Sequence, residues 1–133
     1  MSSLKSLLTC IAVIALLFSF SPVRAQKITV RGKPGKLEIR EAEKNSLRIT
    51  LKPVGYPSEL PFTPALAERQ YPAPVITLEE ILQPVSRKIA GLNVEVTPGP
   101  LRIRITNAAG KEVQDIVFND EGGFSFAKSS DPV

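Results

Sequence analysis

The sequence predicts an all-β fold, a two-layer antiparallel β-sandwich, on three observations. Beyond residue 26, apolar and polar residues alternate at period two through most of the chain, the pattern of strands with one dry and one wet face. These runs are short and are separated by turns built on Gly, Pro and Asn. Helical periodicity is confined to one brief stretch. With 133 residues there is room for one domain rather than two.

The first element does not belong to that fold. Lys5 precedes an apolar run from Leu7 to Phe20, and Pro22 then leads into Val23-Arg24-Ala25. This is the layout of a secretory signal, with cleavage expected after Ala25. The run is shorter than the roughly 20 apolar residues a bilayer span needs, so no membrane anchor is expected after cleavage. Cys10 lies near the start of the run, whereas a lipoprotein cysteine follows the run directly; it is expected to leave with the signal. The mature domain, residues 26–133, then holds no cysteine. It is predicted to be secreted or periplasmic without disulfides, held together by packing alone.

In the mature chain, "KITVRG" reads as a short strand ended by a turn at "GKPGK". "KLEIREAE" and "SLRITLKPV" follow as a hairpin about Asn45. Leu37, Ile39, Leu47, Ile49 and Leu51 share its dry face, and Lys36, Glu38, Arg40, Arg48 and Lys52 its wet one. "TLEEILQPVSRK" alone has helical composition, with Thr77 as N-cap and Pro84 as terminator. From Gly91 to Ala127 the pattern is an antiparallel meander. Leu92, Val94, Val96, Leu101, Ile103 and Ile105 face inward, and Phe124 and Phe126 complete the apolar set. In "EVQDIVF" the phase shifts between Val113 and Ile116-Val117-Phe118, as at a bulge or in a strand buried on both faces. The meander's apolar face needs a second sheet, which the first half must supply.

The residue inventory excludes much chemistry. The chain has no histidine and one cysteine, Cys10, which removes Ser-His-Asp and Cys-His catalysis and His/Cys zinc sites. "GKPGK" has neither the spacing nor the context of a phosphate loop. Two carboxylates roughly 5 to 10 Å apart can hydrolyse a glycosidic bond, but Glu79-Glu80 and Asp120-Glu121 are sequence neighbours and read as solvated loop charges. "NDEGG" offers fewer oxygen ligands than the about six to eight calcium takes and reads as a turn. Arg102 and Arg104 read as the charged wet face of a strand, where they discourage edge pairing; a basic ligand-binding stripe is the alternative. Loss of Lys5 and Arg24 with the signal takes two charges from a formal net of +4, so no nucleic-acid or anionic-membrane partner is expected. Tyrosines are two and tryptophan is absent, a poor stock for a carbohydrate-stacking platform.

One passage breaks the β pattern. Prolines 53, 57, 61, 64, 72, 74 and 84 crowd the region around "FTPALAERQYPAPVITLEEI", which bars a helix or a central strand. Leu60, Phe62, Leu66, Tyr71, Val75, Ile76 and Ile81 recur too often for a solvated linker. The expected form is an extended strap pinned across a sheet by these anchors; Pro61 to Pro64 also fits a PxxP ligand.

This passage, with "NSLRITLKPV" before it and "GLNVEVTPGPLRIRITNAAGKEVQDIVFNDEGGFSF" after it, resembles the N-terminal domain of bacterial glycoside hydrolase family 31, the α-glucosidase and α-xylosidase family. The resemblance runs from about Lys36 to Val133 and is most specific in "PALAERQYPAP" and "VTPGPLRIRITNAAGKEVQDIVF". It implies a galactose mutarotase-like sandwich that packs on a catalytic (β/α)8 barrel acting on α-linked oligosaccharides. Such a barrel needs about 250 residues and carries both of the family's catalytic aspartates. No catalytic, cofactor-binding or metal-ligating residue is therefore carried over to this chain. The expectation is a non-catalytic N-terminal fragment; the alternative is an independent secreted β-sandwich that binds a glycan or a protein.

Overall fold

The computed structural model describes residues 24–57, 70–119, 121 and 123–126. Apart from Arg24 and Ala25, the expected signal peptide lies outside them, as do strap anchors Leu60, Phe62 and Leu66 and the PxxP tetrapeptide. Among the described residues there is no helix, and so none able to cross a membrane. The fold is all-β, in several antiparallel sheets.

The strands are β1 (Gln26–Lys27), β2 (Thr29–Val30), β3 (Lys33–Glu43), β4 (Ser46–Pro53), β5 (Ile76–Leu78), β6 (Glu80–Ile81), β7 (Val85–Ile89), β8 (Leu92–Thr97), β9 (Arg102–Thr106), β10 (Glu112–Phe118) and β11 (Phe124–Phe126). The second half is a meander in the order β11-β10-β9-β8-β7, every pair antiparallel. The first half builds a sheet around β3, with β4 on one edge and β2 and β5 sharing the other. A two-stranded β1–β6 pair closes one end. Two hydrogen bonds tie that end to its neighbours: the Gly99 N–H donates to Gln26 Oε1, and the Ile28 N–H to the Glu79 carbonyl.

Leu37, Ile39 and Ile76 from the β3 sheet and Val94, Val96, Ile103 and Ile105 from the meander are buried in one core. All six meander positions read as inward-facing are buried. Burying each side chain of this size stabilises the fold by about 1.5–3 kcal/mol, the main favourable term where no disulfide contributes. The phase shift in β10 is a bulge, with the register slipping between Glu112 and Gln114. Asn45 turns the β3–β4 hairpin at φ 57, a left-handed conformation that Asn tolerates. Its N–H donates to the carbonyl of Ala90 in the β7–β8 turn, clasping the tips of two hairpins from different sheets. Gly91 sits at φ 83, a left-handed conformation that favours glycine, and a Cβ there would crowd Asn45 Oδ1 at 3.0 Å.

Four expectations need correction. First, "GKPGK" is not a turn. The turn is Arg31-Gly32, both with positive φ, and β3 already runs through Pro34 and Gly35. Gly35 is required there by close approach, since a Cβ would lie 2.8 Å from Val30 Cγ2. Second, the segment of helical composition forms β5, β6 and the start of β7. Pro84 limits any helix to two turns, and edge pairing with β3 and β1 satisfies the backbone instead. Third, Val75 is exposed, so among the described residues the strap's deeply buried anchors are Ile76 and Ile81.

Fourth, Phe124 and Phe126 are 61% and 60% exposed rather than core. The meander is five strands wide, but β2 and β5 lie on the same edge of β3, so the opposing sheet is three strands wide at any level. The apolar inner face of the meander stays in contact with the core at β10, through Ile116 and Phe118, and is exposed at β11.

Ile103→Ala is accordingly expected to cost about 2–5 kcal/mol, read from the urea midpoint. Phe124→Ala should shift that midpoint several-fold less, because its ring gives up little burial.

Candidate functional site

The outer faces of the two sheets carry the buried charges. On the β3–β4 face the register sets Lys36 opposite Lys52, Glu38 opposite Thr50 and Arg40 opposite Arg48. Like charges directly opposed are destabilising on a strand pair, and the single carboxylate between them offsets this. Glu38 accepts from Arg40 Nη2 at 2.7 Å and pairs with Lys52 Nζ at 3.5 Å and Lys36 Nζ at 3.6 Å. The fully wet face read from the alternation is thus incorrect at its centre, where Glu38 is 7% exposed. Alternation fixes which side a residue takes; it does not reveal what lies over that side.

Part of what lies over it is the strap. The Tyr71 ring sits 4.2 Å from the Arg48 guanidinium carbon, a cation–π contact, and the Pro72 carbonyl accepts a long 3.5 Å bond from Arg40 Nη1. The strap then joins the sheet as the Val75 N–H donates to the Ile39 carbonyl. Arg40 Nε is buried without a hydrogen-bond partner. Burial is the largest single influence on Glu38 and pushes its carboxyl upward, but Lys52, Arg40 and Lys36 together outweigh it. The net displacement is below the ordinary value of 4.5.

The outer face of the meander is organised by a second buried acid. Asp115, 3% exposed, accepts from Arg102 Nε at 2.7 Å and also from Arg102 Nη2. The bidentate fork holds the Asp115 carboxyl below its ordinary 3.8 against the opposing effect of burial, and raises the Arg102 guanidinium. Arg104 Nε donates to Glu112 Oε2 at 2.9 Å. Both arginines singled out from the sequence are therefore committed to intramolecular pairs. Beside them an open trough of about 380 Å³ is lined by Ser86, Lys88, Asn93, Glu95, Arg104 and Thr106.

The remaining acids are dispersed. Glu79, Glu80 and Glu121 are exposed, and Asp120 lies outside the described residues. The described residues include no group of three His, Cys, Asp or Glu side chains placed to hold a metal. Sequence reading missed Glu38 and Asp115 as buried acids. The available signal was Lys-x-Glu-x-Arg along one strand face, which puts one acid between two cations at period two. The exposed aromatic cluster was also missed. Phe118 and Phe124 are 6.2 Å apart with planes at 51°, and Phe124 and Phe126 are 5.5 Å apart and edge-to-face at 77°.

Comparison with protein-family models, with curated proteins and with solved structures gives no match.

Glu38 and Asp115 have folded-state pKa values below their unfolded ones, so the unfolded chain binds protons first as pH falls. The stability they contribute is present above about pH 4.5 and is lost on acidification through the depressed values. The acid limb of a stability–pH curve measured by urea titration should flatten in Glu38→Gln and again in Asp115→Asn, both variants being less stable than wild type at pH 7.

Proposed function

We propose that the chain is the non-catalytic N-terminal β-sandwich of a secreted family 31 α-glycosidase, with a galactose mutarotase-like arrangement of its sheets. Its partner in this reading is the catalytic barrel of that enzyme, and its association with α-linked oligosaccharide is through the parent protein. The resemblance in the strap and the meander motivates the family. The observation that carries the non-catalytic reading is the state of the two buried carboxylates.

A glycosidase places two carboxyl groups on one cleft about 5 to 10 Å apart and raises the pKa of the one that donates a proton. Glu38 and Asp115 lie on the outer faces of different sheets, with the apolar core between them. Both are displaced downward by cations, the wrong direction for a general acid at neutral pH. These acids neutralise charge and fix geometry; neither is poised to transfer a proton.

A second reading, an independent binding module, is favoured by the exposed rings of Phe124 and Phe126 beside half-buried Phe118. Rings inclined at 51° and 77° make no flat platform for a sugar, which directs this alternative toward a protein partner.

Two measurements separate these readings. The purified chain should show no turnover of aryl α-glucosides or α-xylosides, and turnover that survives repurification contradicts the proposal. Sequencing the transcript past the Val133 codon should reveal a barrel-length reading frame encoding two catalytic aspartates. An unrelated sequence there favours the independent module.

A further inference from the structure

The fold uses only one half of the Gln26 side-chain amide. Its Oε1 accepts a 2.6 Å hydrogen bond from the Gly99 N–H, 73 residues away in the chain. Pro98 and Pro100 flank Gly99 and have no N–H to give, so Gln26 takes the one backbone donor of that tripeptide in the β8–β9 turn. Because the partner is a donor, the atom that faces it is the amide oxygen rather than the nitrogen. The nitrogen, Nε2, makes no hydrogen bond among the described residues.

The main chain of Gln26 is committed as well. The Ile28 N–H donates to the Glu79 carbonyl, and Gln26 stands opposite Ile81 two residues earlier in the same register. Hydrogen-bonded pairs alternate in an antiparallel ladder, so the Gln26 N–H faces the Ile81 carbonyl. Arg24 and Ala25, immediately before it, are exposed and belong to no strand. The peptide bond at which signal cleavage is expected therefore lies just outside β1, the first strand of the fold.

We infer that Gln26 is the first residue of the exported chain and is converted there to pyroglutamate. Hydrolysis of the Ala25–Gln26 bond frees the α-amino group, whose ordinary pKa of about 7.7–8.0 leaves an appreciable unprotonated fraction at neutral pH. The unprotonated nitrogen attacks Cδ of its own side chain. A new N–Cδ bond closes the lactam ring and the Cδ–Nε2 bond breaks. Nε2 takes one proton from the attacking nitrogen and leaves as ammonia, so no co-reactant is needed. The product keeps the two groups that hold Gln26 in the fold, one N–H and Oε1. It discards Nε2 and the positive charge of the new terminus, and it leaves an aminopeptidase no free amine at the start of the β1–β6 pair. The inference rests on the expected cleavage after Ala25 and is independent of the family reading.

The test uses the full chain, expressed with its own leader in a bacterial host and recovered from the exported fraction. Its intact mass and N-terminal peptide are expected to correspond to a start at residue 26 with the loss of one ammonia. Pyroglutamyl peptidase should remove that residue from the native protein at least about tenfold more slowly than from a synthetic pyroglutamyl peptide of residues 26–33, because the lactam is held by β6 and Gly99. In Gln26→Ala, which neither cyclises nor accepts the bond, the Gly99 amide should exchange about three- to tenfold faster than in the cyclised protein. A chain cut after Ala25 that keeps a free glutamine amine through prolonged incubation at neutral pH overturns the inference and leaves the export reading intact. A chain that retains its leader, or begins at another residue, overturns both. Removal of pyroglutamate from the native protein at the peptide's rate, or Gly99 exchange unchanged in Gln26→Ala, overturns the docking of the lactam on the β8–β9 turn.

Discussion

The apolar contact between the β3 sheet and the meander is the interaction on which the rest of the molecule depends. Leu37, Ile39, Val94, Val96 and Ile103 are the large side chains with essentially no solvent contact, and they come from both sheets. With Cys10 the chain's one cysteine, no intramolecular disulfide can constrain the unfolded state, and burial has to offset the chain entropy. Polar contacts at the periphery orient this contact without replacing it. The Asn45–Ala90 bond fixes one pair of hairpin tips, and the Gln26–Gly99 bond anchors the terminal strand pair.

The same contact explains where charge is found. Among the described residues the buried core is aliphatic, and the ion pairs of Glu38 and Asp115 form on the outer faces. Both carboxylates are buried because something covers them. Arg102 lies across Asp115 as a planar fork, and the β3–β4 cations close around Glu38 beneath Tyr71 and Pro72. Acids held this way gain from ionisation and resist protonation at neutral pH. This is the physical argument behind the proposed non-catalytic role.

Much of the fold is legible in the sequence because period-two alternation is a direct record of one-sided burial. Leu92 to Ile105 could be assigned face by face, and Asn45 and the β10 bulge were visible as a turn residue and a break in phase. What alternation does not encode is sheet width. Phe124 and Phe126 carry the same inward signature as Val94, yet among the described residues β2 and β5 share one edge of β3 and the two rings are exposed. The strand β5 was hidden for a related reason: three residues beside a proline-rich strap show no period, and pairing with β3 determines their conformation. Glu38 shows a related limit, since Lys52, which closes on it, comes from the neighbouring strand β4 and the adjacent Arg40 and Arg48 are contacted by Pro72 and Tyr71.

The mismatch in sheet width is tested most directly by residue-resolved amide hydrogen exchange on dilute, monomeric protein. Val94 and Ile103 should exchange only through global unfolding. Phe124 and Phe126, whose amides point away from β10 because Asn119 and Gly123 form a hydrogen-bonded pair, should exchange orders of magnitude faster, while Ser125 between them is slowed by its pairing with Val117. Protection of Phe124 and Phe126 equal to that of Ile103 in the monomer would contradict the account, because it would mean that the edge of the five-stranded sheet is already covered.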